Sequence, residues 1–110
     1  MAPLPPAVAE ALARFRKALE ARFGPRLLEL RLFGSYARGD FDADSDVDVL
    51  VVVEALEPEE RREVIERSWD PYPELLVYLS PLALSAAEWA RLRAREYRIA
   101  REVDADGVPV

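Results

Sequence analysis

Asp46 and Asp48, at the mouth of the aliphatic run V-D-V-L-V-V-V, and Gly34-Ser35, which end the apolar run before it, are the residues whose types and spacing can do chemistry. Side chains alternate along a strand, so Asp46 and Asp48 project to one side, about 7 Å apart along the chain. Two carboxylates held that way repel each other and need a compensating charge. Magnesium, a hard ion that takes oxygen ligands and keeps substrate phosphate in its shell, supplies it. Two such ions about 4 Å apart would activate an attacking hydroxyl and stabilise leaving pyrophosphate. Gly34 lets backbone approach a phosphate closely, and Ser35 offers a hydroxyl and an amide at a helix start. Arg38, one turn on, carries a guanidinium that matches phosphate geometry. A lone Gly-Ser is a common turn and a lone Asp-x-Asp a common strand entrance. Ten residues apart and bracketed by apolar strands, they read as two halves of one phosphate site.

A calcium loop competes for the same acids, because Asp40, Asp42 and Asp44 have the one-three-five spacing of an EF-hand. The glycine needed at the sixth position is Ser45 and the glutamate needed at the twelfth is Val51. Registers starting at Asp42 and Asp44 fail in the same way. These three aspartates are read as solvent-facing loop residues.

The elements that must position the site follow from periodicity. Val8, Leu12, Phe15, Leu19 and Phe23 form the stripe of an amphipathic helix, stopped by Gly24-Pro25. Leu27–Phe33 reads as a strand, Ser35–Gly39 as one helical turn with Ser35 at its N-cap, and Asp40–Ser45 as a polar loop. Val47–Val53, almost purely aliphatic, predicts a strand buried on both faces. A helix is expected from Pro58 to Trp69, with Val64, Ile65 and Trp69 on its buried side. Asp70–Pro73 is a connection, Glu74–Leu79 a third strand and Ser80-Pro81 its end. Ser85 and Glu88 form a capping box opening a last helix, whose inward face includes Trp89, Leu92 and Ile99. The arginines at 91, 93, 95, 98 and 101 crowd that helix as a mixed solvated face. The tail D-A-D-G-V-P-V either adds an edge strand or stays loose. The order describes one domain over residues 1–110, a small α/β (α+β) unit with helices packed on a mixed sheet.

Composition narrows the chemistry. The chain has no cysteine and no histidine, so disulfides, thiolate metal sites and imidazole catalysis are excluded. Carboxylates, hydroxyls and fourteen arginines remain. A formal charge of −6 argues against general nucleic-acid binding, which needs a basic footprint. No apolar run nears the roughly 20 residues that span a bilayer. M-A-P-L-P-P lacks a charged region followed by an apolar one. The expected location is the cytoplasm, with self-association left open.

G-S-Y-A-R-G-D-F-D-A-D-S-D-V-D-V-L-V-V-V resembles the signature of the nucleotidyltransferase superfamily that includes DNA polymerase beta and the kanamycin nucleotidyltransferases. The brevity is similar to that of its minimal group. The match rests on Gly34, Ser35, Arg38, Gly39, Ser45, Asp46 and Asp48. The resemblance implies a mixed-sheet fold, ATP or another nucleoside triphosphate, and magnesium held by Asp46 and Asp48. Gly34 and Ser35 would hold the triphosphate and Arg38 would add a phosphate contact. The third carboxylate of such proteins lies on a neighbouring strand, where Glu74 is the only acid. Glu74 is therefore expected to complete the metal site or take the hydroxyl proton, against its reading as a solvated strand end. Minimal members typically act with a helical HEPN-type protein, often as antitoxin to its toxin, and some move AMP to a tyrosine of that partner. The expected activity is AMP transfer from ATP to a protein hydroxyl. The rivals are a non-catalytic module that neutralises its partner by binding, and a small-molecule enzyme of aminoglycoside type working with a separate helical subunit.

Overall fold

The computed structural model describes residues 3–110; Met1 and Ala2, part of the N-terminal segment read above, lie outside the described residues. Helix α1, Pro6–Phe23, begins with proline in its first turn, where the missing amide costs no hydrogen bond. Its stripe Val8, Leu12, Phe15, Leu19 and Phe23 is buried. Gly24, at φ 54°, turns the chain through a 3-10 turn into strand β1, Leu27–Phe33. Helix α2 is one turn, Ser35–Arg38, and strand β2 runs Val47–Val53.

Helix α3, Pro58–Ser68, is opened by a capping box in which Glu57 and Glu60 exchange side chain and backbone bonds. A second single turn, α4, spans Tyr72–Leu75, followed by strand β3, Leu79–Ser85. Helices α5, Ala86–Ala94, and α6, Arg98–Asp106, lead to strand β4, Val108–Pro109. The sheet order is β3-β2-β1-β4. β1 pairs antiparallel with β2 and β4, whereas β2 and β3 are parallel.

β2 sits at the centre, and its aliphatic run serves two cores, as its composition requires. Val47, Val49, Val51 and Val53 face the cluster built with α1, α3, Leu32, Val77 and Leu79. Leu50 and Val52 face the other, with Phe33, Leu84, Trp89, Ala100 and Val103. Each such fully buried side chain contributes about 1.5–3 kcal/mol.

Four expectations are corrected. The third strand is not Glu74–Leu79: Pro71 and Pro73 are compatible with a helical turn, which Leu76 closes at φ 56°, and the strand starts at Leu79. Pro81 lies inside it, where an edge strand accommodates the missing amide. Ile65 and Trp69 are 44% and 53% exposed, because α3 packs through Val64 and Ser68 instead. The last helix breaks at Glu96, φ 53°, which redirects α6 so that Ala100 and Val103 reach Phe33 and Leu50. Ser35 is the first helical residue and Gly34 is the cap. The tail is settled as an edge strand, with Leu32 opposite Val108 and the Val110 amide donating to Leu30 O at 3.1 Å.

Candidate active site

β1 and β2 bring the two halves together through their register. Phe33 stands opposite Asp48, so the residue leaving β1, Gly34, lies beneath the Asp48 side chain. A β-carbon at Gly34 would collide with Asp48 Oδ2, and Gly34 holds φ 76°, ψ −155°, a conformation for which side chains are unsuited. Glycine is required there twice over. The single turn that follows is closed by Ala37 and Arg38 amides donating to Gly34 O at 3.1 and 3.0 Å. Gly39 and Asp40 amides donate to Ser35 O at 2.8 and 3.1 Å, with Gly39 in the left-handed region at φ 86°. Ser35 Oγ takes part in no hydrogen bond among the described residues, which leaves it available to a ligand.

Asp46 is exposed and Asp48 half-buried. Burial pushes the Asp48 carboxyl above the usual carboxylate range; the charges of Asp46 and Glu102 push the same way and Arg38 opposes them. Arg38 lies across the turn, with Nε 3.2 Å from Asp40 and Nη1 3.6 Å from Asp106 of α6. The Asp40–Ser45 loop ties itself: the Asp42 amide donates to Ser45 Oγ and the Asp44 amide to Asp42 Oδ1, both at 2.9 Å. Asp40, Asp42 and Asp44 are solvent-exposed, as read from the sequence.

Glu74 is not brought to this pair. It lies on α4, exposed, where Arg14 of α1 grips its carboxylate at 2.7 and 3.2 Å and holds it below the usual range. Among the described residues no trio of His, Cys, Asp or Glu gathers around a common point. With β3 beginning at Leu79, the parallel register puts Leu79 beside Val47 and Ser80 beside Asp48. Tyr78, Tyr36 and Leu76 line one cleft of about 190 Å³ with Asp44, Ser45 and Asp46. The sequence reading missed that Leu76 and Tyr78 line this cleft, because it placed both in the third strand. The all-oxygen donor pair fits a hard divalent ion, whose remaining ligands would have to come from substrate and water.

A family model described as a nucleotidyltransferase domain matches residues 12–104. The chain belongs to the nucleotidyltransferase domain family. Curated relatives are similar over shorter stretches. The protein adenylyltransferase MntA of Thermococcus cleftensis is 49% identical over 45 residues, 41% of this chain and 43% of that protein. MJ0604 of Methanocaldococcus jannaschii, also named as a protein adenylyltransferase, is 44% identical over 43 residues, 39% of this chain and 43% of that protein. The chain thus spans about half or less of the curated relatives it matches. Among solved structures, a minimal nucleotidyltransferase superposes with a TM-score of 0.59 at 24% identity, over 94% of this chain and 95% of that one. A toxin-antitoxin structure with AMP-PNP gives 0.56 at 22%, over 86% and 68%. At these identities the likeness is one of fold, and it places the mixed sheet and its helices among nucleotidyltransferase folds.

Proposed function

We propose that this nucleotidyltransferase-family chain is an adenylyltransferase that moves AMP from ATP to a hydroxyl of a partner protein. The observation that carries the reading is the contact of the Asp48 side chain with Gly34, which joins a carboxylate pair to the Gly-Ser turn in one site. The names of the similar archaeal proteins support protein as the acceptor. The likeness to a toxin-antitoxin structure is compatible with a helical HEPN-type toxin as partner and an antitoxin role. An adenylyltransferase that consumes ATP suits the cytoplasm.

In this reading Gly34 and Ser35 receive the triphosphate, Ser35 donating from its hydroxyl and amide. Arg38 leaves Asp40 and Asp106 for a phosphate, exchanging solvent-exposed ion pairs of small net value for a bidentate contact. Asp46 and Asp48 would hold magnesium, two ions in the full arrangement, whose chemistry is to neutralise charge on the phosphates and lower the pKa of the attacking hydroxyl. The hydroxyl oxygen bonds to the α-phosphorus, the bond from that phosphorus to the bridging oxygen breaks, pyrophosphate leaves with the bonding electrons, and the hydroxyl proton passes to solvent.

Incubating the full chain with magnesium, ATP labelled in the α-phosphate and a helical partner protein is expected to label the partner. Asp46→Asn combined with Asp48→Asn is expected to abolish the label; label that survives both changes overturns the metal-site assignment. A second reading, a binding module that neutralises its partner without transfer, is favoured by the lack of a third carboxylate beside Asp46 and Asp48 among the described residues. It predicts a stable complex with the partner and no label. A small-molecule acceptor with a separate helical subunit predicts label on the small molecule alone.

A further inference from the structure

Asp48 has one neighbour on each side across the sheet. On β1 it is Phe33, its partner in the antiparallel register, and on β3 it is Ser80, its partner in the parallel register. The row lies on one face. Phe33, Leu50, Val52 and Leu84 share the core beneath α5 and α6, Leu82 packs against it, and Ser80 alternates with Leu82 and Leu84 along β3. Phe33 is buried and apolar, so of the two neighbours Ser80 alone offers Asp48 a polar side chain. Neighbouring strands lie about 4.8 Å apart, a span that two side chains on one face can close around a small ion.

Ser80 is exposed, and its hydroxyl takes part in no hydrogen bond among the described residues, whereas Ser45, Ser68 and Ser85 each use theirs. The acids that could compete for its place are engaged by arginines. Glu102 of α6, whose charge is felt at Asp48, pairs with Arg98 at 3.2 Å, Asp106 with Arg38 at 3.6 Å and Glu74 with Arg14 at 2.7 Å.

We propose that Ser80 is the third protein oxygen on the metal side of the site, a neutral one, so that the chain takes up a divalent ion only together with a nucleoside triphosphate. The proposal rests on the reading of Gly34–Asp48 as a nucleotide site. A serine hydroxyl is a hard donor, of the kind that holds magnesium beside phosphates in other nucleotide sites. It brings no charge, and affinity for a hard ion follows the number of charged ligands. Asp46, Asp48 and Ser80 alone therefore hold an ion loosely, and the triphosphate supplies the oxygens and the negative charge they lack. β3 is an edge strand and Ser80 faces solvent, so a carboxylate placed there needs no room in either core.

Titration calorimetry on the full chain tests this, with AMP-PNP in magnesium, with AMP-PNP in EDTA, and with magnesium alone. Ser80→Ala is expected to weaken AMP-PNP binding about tenfold in magnesium, the lower end of the range for groups around a metal, and to leave binding in EDTA unchanged. Ser80→Thr keeps the hydroxyl and is expected to bind as the wild type does. Ser80→Asp is expected to bind magnesium without nucleotide at least about tenfold more tightly than the wild type. Circular dichroism shows that each variant compared is folded. Equal affinities of the wild type and Ser80→Ala in magnesium overturn the inference and leave the adenylyltransferase reading standing. So does magnesium bound alone as tightly by the wild type as by Ser80→Asp. A loss in Ser80→Ala that is the same in EDTA reveals a structural role and overturns it too, and weakening in Glu102→Gln without weakening in Ser80→Ala assigns the third oxygen to α6 instead. If the wild type binds no AMP-PNP in magnesium, both readings fall together.

Discussion

Alanine at Gly34 would place a methyl group against Asp48 Oδ2 in a backbone conformation reserved for glycine. A residue held in such a region costs about 1–3 kcal/mol, and moving Asp48 aside adds to that. Gly34→Ala is therefore expected to lower the urea midpoint and to weaken AMP-PNP binding in whatever protein still folds. Gly24→Ala is the comparison: its φ is 54°, but nothing lies within 4 Å of the added carbon, so only backbone strain of about 1–2 kcal/mol is expected, with nucleotide binding intact. Equal effects of the two substitutions on binding would show that the Asp48 contact is irrelevant to the site. Arg38→Ala should weaken AMP-PNP binding by about 1.5–3 kcal/mol if the guanidinium turns to phosphate, the range for hydrogen bonds to charged groups.

At the scale of elements, α3 is joined to the turn after α1 by Glu60. Arg26 grips its carboxylate at 2.7 and 2.8 Å, and the Glu57 amide donates to it at 3.0 Å. Arg26 first, and then that amide, hold the Glu60 carboxyl down from 4.5 to about 2. Because the folded value is depressed, this contribution is complete above the ordinary carboxylate range and is lost as pH falls through about 2. Glu60→Gln should remove that part of the pH dependence, giving a flatter decline of stability between pH 4.5 and 2 in acid titrations followed by circular dichroism. A variant as acid-sensitive as the wild type would place the effect elsewhere. Legibility also divides by element. β2 was legible because its seven residues are nearly all aliphatic, and α1 because its stripe is unbroken over four turns. The start of the third strand was displaced by five residues because E-L-L-V-Y-L carries more apolar residues than S-P-L-A-L-S, which also contains a proline. What decided between them was pairing with β2, a contact between distant parts of the chain that local pattern does not contain. Asp46, Asp48, Gly34 and Ser35 lie close enough in sequence to be read as one motif; Glu74 and Tyr78 depended on the strand boundary, and that boundary was misplaced.

The whole molecule is a four-stranded sheet with one edge at β3 and the other at β4, of which β4 is two residues long. A short edge strand containing proline blunts the tendency of β1 to pair with another copy. Removing Val108, Pro109 and Val110 would expose the outer edge of β1 over Leu30 to Leu32 and is expected to shift the chain toward larger species in size-exclusion chromatography. An unchanged elution volume would show that β4 does not guard that edge. Trp69, Leu76 and Tyr78 remain exposed beside the cleft at 53%, 72% and 50%. They were legible as apolar residues and not as a surface, because exposure is settled only when α3, α4 and β3 take their places in the fold. The parting of α5 from α6 at Glu96 has a consequence in time. β1, α2 and β2 are complete by Val53, whereas the helix that brings Asp106 to Arg38 comes some fifty residues later. Synthesis proceeds at about 5–20 residues per second, so for some seconds a nascent chain has its Gly-Ser turn and both aspartates without the acidic helix above them. On the ribosome, Arg38 thus lacks its Asp106 partner until α6 has been synthesised.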